Sequence, residues 1–191
     1  MSLPAVILAA GASRRLGRPK QSVEVDGEAL LHRAARAALE AGLDPVFIVL
    51  GAGVEALEPL VADLPVGVIP NPHWEEGMSS SIRVGLEALP PTASALLLMV
   101  CDQFRLEAAV LERLIQAFYA SPTHPAACFY EGTLGVPAIF PRSAFAELAA
   151  LRGDKGARLL LQQPGVTPVA WPEGKLDLDD AKAVSVIEKP R

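Results

Sequence analysis

Four cations crowd the end of a small-residue loop: Arg14, Arg15, Arg18 and Lys20 follow Leu8-Ala9-Ala10-Gly11-Ala12-Ser13. Small side chains leave backbone N–H groups accessible, and neighbouring cations add full positive charge. That combination suits a polyphosphate. It is not a Walker loop, because no Gly-Lys-Ser/Thr closes it. It is not the dinucleotide fingerprint, because Ser13 stands where the second glycine belongs. Far along the chain, Asp102 directly follows the most apolar run, in Met99-Val100-Cys101-Asp102-Gln103. An acid at the carboxyl end of a strand can hold Mg²⁺ against phosphates. Capping of the next helix is the other reading. Asp177 and Asp179 form a D-x-D pair near the end. In an extended segment residues two apart share a face, so both carboxylates attract a divalent cation. N-capping of a final helix by Asp179 or Asp180 is the plainer use. Mg²⁺ takes one or two protein carboxylates plus phosphate oxygens, so Asp102 and Asp179 would suffice.

Other candidates are weaker alone. Gly77-Met78-Ser79-Ser80-Ser81 introduces a helix whose N-terminus could hold an anion or a ribose, and Ser79 or Ser80 could equally be its cap. Gly135-Val136-Pro137 and Gly153-Asp154-Lys155-Gly156-Ala157-Arg158 read as turns. Arg158 could bind an anionic substrate or sit in a surface ion pair. His32, His73 and His124 lack metal-ligand spacing. Trp74 and Trp171 read as packing residues rather than stacking platforms. Cys101 and Cys128 lie in apolar runs and read as buried thiols in a reducing cytoplasm.

Strands and helices must carry these groups, and they alternate. Residues 5–10, 45–50, 66–69, 95–101, 126–130, 138–141 and 167–171 read as strands or extended pieces. Residues 29–41, 54–64, 79–89, 107–119, 143–151, 155–163 and 180–187 read as helices. Gly42 ends the first helix and Pro70 and Pro72 break the third strand. Strands apolar along their length imply a mostly parallel sheet covered on both faces. The 95–101 strand should lie at its centre. Ligands in such sheets bind beyond the carboxyl ends of the strands, so the Gly11 loop and Asp102 can face one pocket.

With 191 residues, 51% of them hydrophobic, one domain spanning 1–191 is expected. The net charge of −5 argues against nucleic acid as a partner, and the positive charge is local to the loop. No apolar stretch approaches the roughly 20 residues that span a bilayer, and no leader pattern opens the chain, so no membrane and a cytoplasmic location are expected.

Several of these segments together resemble the nucleotidyltransferases related to molybdenum cofactor cytidylyltransferase and molybdopterin guanylyltransferase. The run L-A-A-G-x-S-x-R-h-G-x-x-K (h apolar) is similar to that family's opening motif. G-M-S-x-S, the Asp-Gln pair, G-x-P-x-x-F, G-D-x-G-A-R and the late D-x-D follow in the family's order. The resemblance implies an α/β, three-layer, Rossmann-like nucleotidyltransferase fold. It implies a nucleotide contacted by Leu8, Ala9, Ala10, Gly11, Ala12, Ser13, Arg14, Lys20, Gly77, Met78, Ser79 and Ser81. It further implies Mg²⁺ on Asp102 and Asp179, and a pterin phosphate acceptor near Gly135, Pro137, Asp154 and Arg158. Ala10 before Gly11 is similar to the cytidylyltransferase branch, which favours CTP, with GTP possible. A molybdoenzyme or its chaperone would be a downstream partner. Phe104 departs from the usual proline, Val136 from a frequent histidine, and Asp180-Ala181-Lys182 from the usual Thr-Pro-acid.

The expected chemistry needs no protein nucleophile. A phosphate oxygen of the acceptor attacks the α-phosphorus of a nucleoside triphosphate, and pyrophosphate leaves. Catalysis is then positioning and charge neutralisation by Lys20, Arg15 and Asp102. Pro19-Lys20-Gln21 also resembles the loop of the methylerythritol phosphate enzyme, which keeps a sugar or methylerythritol phosphate acceptor open. A non-catalytic nucleotide-binding chaperone is a third reading. A nicotinamide dehydrogenase would need an acid ending the second strand, where Val49-Leu50-Gly51 stands.

Overall fold

The computed structural model describes residues 2–13 and 16–176. Arg14, Arg15, Asp177, Asp179 and the expected helix at 180–187 lie outside the described residues. Within them the chain forms strands β1 (Ala5–Ala9), β2 (Glu24–Val25), β3 (Glu28–Ala29), β4 (Val46–Leu50), β5 (Gly67–Pro70), β6 (Ala95–Val100), β7 (Ala126–Tyr130), β8 (Thr133–Pro141) and β9 (Thr167–Ala170). The helices are α1 (Leu30–Glu40), α2 (Val54–Leu57), α3 (Met78–Glu87), α4 (Ala108–Ala120), α5 (Phe145–Ala150) and α6 (Arg158–Leu161).

Among the described residues, seven strands make one sheet in the order β5-β4-β1-β6-β8-β7-β9. The β4–β5, β1–β4, β1–β6 and β7–β9 pairings are parallel, and β8 runs antiparallel to both of its neighbours. The expected mostly parallel sheet is present, and β6 lies at its centre. Side chains alternate between faces along a strand, so each buried strand feeds two cores. Ile7, Ile48, Leu97 and Met99 face α1 and α4. Val6, Leu98 and Phe140 face Ile82 of α3, Leu148 of α5 and Leu161 of α6. The result is three layers.

Several local expectations change. The helix expected at 54–64 stops at Leu57 and tightens into a 3₁₀ turn at Glu58–Val61. Pro59 has no N–H to donate and its ring crowds the preceding turn. Helix α3 starts at Met78 with Gly77 as its cap, so Ser79 and Ser80 are not caps but first-turn residues. The extended piece expected at 138–141 is the end of the longer β8, and the Gly135-Val136-Pro137 turn is strand. The β7–β8 register shifts between Ala127 and Cys128, which places Pro137, lacking a donor, at an irregularity. The helix expected at 155–163 is one turn, α6, because Gly156 and Pro164 are poor helix formers. The β2–β3 hairpin has only two residues per strand, too short for a hydrophobic period to reveal.

Candidate active site

The carboxyl ends of β4, β1 and β6 lie side by side, and a cleft of about 380 Å³ opens beyond them. Leu8, Ala9, Ala10 and Gly11 line it where β1 ends. A Cβ placed on Gly11 would have nothing within 4 Å, so packing does not demand a glycine there. The space is open to a ligand that approaches the backbone. Ser13 adopts φ 50, and its Oγ accepts a hydrogen bond from the Lys20 backbone N–H at 3.0 Å. That contact closes the loop and aims Lys20 back at the sheet.

There the Gly11 loop and Asp102 face one pocket, as expected, and a contact that was not expected joins them. Lys20 Nζ forms an ion pair and hydrogen bond with Asp102 Oδ2, with side chains 23% and 12% exposed. Both groups line the cleft. Charges this shielded interact more strongly than surface pairs, because water screens them less. Cys101, next to Asp102, is not a reactive thiol: burial first, then the Asp102 charge, pushes its pKa up to about 12.

Gln21 is fully buried and was not singled out from sequence. Its Nε2 donates to the carbonyls of Ala9 (2.7 Å) and Gly11 (2.9 Å), which fixes the amide's orientation. Its Oε1 has no partner among the described residues. Its place after Lys20 was the available signal. Asn71 was also missed. It is 1% exposed, and its Nδ2 donates to Ser80 Oγ (2.9 Å) and Ser81 Oγ (3.0 Å). Its Oδ1 accepts from the His73 N–H at 2.9 Å. Asn71 therefore ties the end of β5 to the first turn of α3. Met78 and Ser81 line the cleft, whereas Ser79 is buried beneath it, its N–H donating to the Gly153 carbonyl.

The two late glycine segments separate. Asp154 lines the same cleft as the Gly11 loop, and its Oδ1 lies 2.6 Å from where a Cβ on Gly77 would be. With φ 99 and the Gly153 carbonyl carbon 2.4 Å from that Cβ position, residue 77 must be glycine. Gly135 and Pro137 do not line this cleft; they are buried in β8, where Gly135 makes room for the Tyr130 hydroxyl. Val136 packs its side chain on the α3–α5–α6 face, and its carbonyl accepts from Gln103 Nε2 and Tyr130 Oη, each at 3.1 Å. Gln103 Nε2 also donates to the Gly174 carbonyl at 3.0 Å, clamping the segment that precedes Asp177. Arg158 is exposed, and its Nη2 donates to Thr133 Oγ1 at 3.1 Å. Trp171 is a packing residue as expected, 2% exposed. Trp74 instead lines the cleft. Among the described residues, no group of three or more His, Cys, Asp or Glu could hold a metal by itself.

A family profile described as "MobA-like NTP transferase domain" matches residues 5–168. Nicotine blue oxidoreductase of Paenarthrobacter nicotinovorans is 32% identical over 169 residues, 83% of this chain and 80% of that protein. Purine catabolism protein PucB of Bacillus subtilis (strain 168) is 30% identical over 187 residues, 92% of this chain and 89% of that protein. Among solved structures, Rv0371c from Mycobacterium tuberculosis H37Rv matches with a TM-score of 0.82 at 31% identity, covering 100% of both chains. Its complex with manganese matches with a TM-score of 0.79 at 30% identity, covering 98% of each chain.

Proposed function

The chain belongs to the MobA-like NTP transferase domain family and is a nucleotidyltransferase, and on that premise we propose that it moves CMP from CTP to the phosphate of molybdopterin or its molybdenum form, releasing pyrophosphate. The observation that carries the reading is the meeting of Lys20 and Asp102 at the edge of the Gly11 loop. Sequence places them 82 positions apart, and the fold brings them into contact in one cleft.

The roles follow from charge and position. The Gly11 loop offers backbone donors and open space to the triphosphate. Lys20 neutralises the β and γ phosphates, with Arg15 and Arg14 from the same loop. Asp102 fits a divalent cation, because Mg²⁺ needs only one or two carboxylates when phosphates supply the remaining oxygens. Asp179 is the second carboxylate in this proposal. The ion, when bound, offsets charge on the leaving pyrophosphate. The Lys20–Asp102 pair sets opposite charges against each other in the cleft. A bound triphosphate would give Lys20 a second anion to pair with, and Asp102 is a carboxylate that would hold the cation. The acceptor's phosphate oxygen is already anionic, so orientation rather than a strong base sets the rate. Asp154 in the cleft wall, and Arg158 beyond it, are the proposed acceptor contacts.

The name of the Paenarthrobacter relative raises a redox reading. Strand β4 ends at Leu50 and Gly51 follows, without the acid that holds a dinucleotide's ribose, and this supports the transferase reading. The deciding experiment measures pyrophosphate release with each nucleoside triphosphate and Mg²⁺, with and without molybdopterin. Release with CTP that requires molybdopterin is expected. Release that instead requires a sugar phosphate or methylerythritol phosphate would replace the acceptor.

A further inference from the structure

Trp74 has no part in the chemistry above, yet it lines the same cleft. It opens the turn Trp74–Glu76 and is half-buried. Gly51, the residue after β4, makes its position possible. A Cβ on Gly51 would fall 2.5 Å from Trp74 Cβ, 2.6 Å from Trp74 Cγ and 2.6 Å from the Ala10 carbonyl oxygen. The bare backbone therefore lets the root of the indole and the end of β1 press on one point. The Ala52 N–H, donating to the Ala10 carbonyl at 3.3 Å, holds that junction.

Strand order then sets what lies on either side. The sheet runs β4-β1-β6. Asp102 follows β6 and carries Lys20 with it, while Trp74 packs on the residue that follows β4. The Gly11 loop lies between them. Alternate strands are about 10 Å apart. A ligand crossing the loop has its charged part on the β6 side and its other end on the β4 side. A nucleoside triphosphate has that shape, with a flat heterocycle opposite the phosphates.

Resting on the nucleotide reading above, we propose that Trp74 is a binding residue for the nucleobase, an aromatic wall against which the ring of the bound NTP lies. Every base has a π-face, so this contact adds affinity for all of them and leaves base selection to polar groups. A Trp74→Ala variant that stays folded should bind CTP at least about tenfold more weakly, the scale of one aromatic–base contact. Trp74→Phe keeps a ring and should stay within about threefold of wild type.

The test is titration of the full-length protein with CTP, GTP and Mg²⁺, read by calorimetry and by indole fluorescence excited on the red edge. Wild type should show a fluorescence change. Trp74→Phe should bind without one, because its remaining indole, Trp171, is buried against Tyr130. A full fluorescence change in Trp74→Phe, or wild-type affinity in a folded Trp74→Ala, overturns the proposal and leaves the nucleotidyl transfer reading intact. Absence of any nucleotide binding by the wild-type protein overturns both.

Discussion

Asp102 gains its reach from two neighbours that differ in kind. Lys20 balances its charge, and Gln103 anchors the chain behind it through the Val136 and Gly174 carbonyls. The next residue, Phe104, joins a small core with Leu16, Val23, Val25 and Leu30, so the Asp102 segment and the end of the Gly11 loop pack on one apolar cluster. This is the structural use of a position where the resembling family has proline. Removing the carboxylate leaves this scaffold in place. Asp102→Ala should therefore lower turnover by about a hundredfold or more, the scale of losing one preorganised charge. Affinity for the nucleotide should change far less. Single-turnover rates beside calorimetric binding would check it, and near-wild-type turnover would remove Asp102 from the mechanism.

Helix α3 presents Met78 and Ser81 to the cleft, and its distance from the sheet is set by Gly85. A Cβ there would lie 2.6 Å from Val6 Cγ1 and 3.2 Å from Cγ2. Gly→Ala inside a helix ordinarily adds about 1 kcal/mol of stability. Here overpacking costs about 1–3 kcal/mol and should reverse the sign. Denaturant midpoints should show Gly85→Ala less stable than wild type, and Val6→Ala in the same chain should recover part of the loss. The β3–α1 junction carries a second element-scale device. The Arg36 guanidinium, followed by His32, holds the Glu28 carboxyl down at about 2 against burial. Burial opposes protonation of His32, but its bonds to Glu28 and Asp63 outweigh that and raise its pKa above 6.5. The Glu28 contribution is complete above its ordinary 4.5 and is lost as pH falls toward about 2. The His32 contribution is complete below 6.5 and is lost as pH rises through its raised value. Thermal melts across pH should be steeper at the acid end in wild type than in Glu28→Gln. At the alkaline end they should flatten in His32→Gln.

At the scale of the whole molecule, the cleft is assembled from the ends of β1 and β6, the turn at Trp74, the first turn of α3 and Asp154. Ligand binding therefore couples to the stability of the sheet. Saturation with CTP and Mg²⁺ at about 100 times the dissociation constant should add about 2.7 kcal/mol. For a chain of this size that raises Tm by about 5–10 °C, which differential scanning fluorimetry would detect. No described helix is long and apolar enough to cross a membrane. Much of this arrangement was legible in the chain itself. Apolar runs mark β1, β4, β6 and β7 within a residue or two, since burial on both faces of a sheet leaves a continuous apolar signature. The Gly11 loop and Asp102 were readable as strand-end positions because each closely follows an apolar run. Trp74, Gln21, Asn71 and the placement of Gly135 were not. Nothing in a linear pattern says which side of a strand a turn packs on, which buried amide meets which carbonyl, or that Gly-x-Pro continues as strand. Periodicity is a local property, whereas the wall of a cleft depends on contacts between segments distant in sequence, and packing selects those contacts only once the sheet order exists.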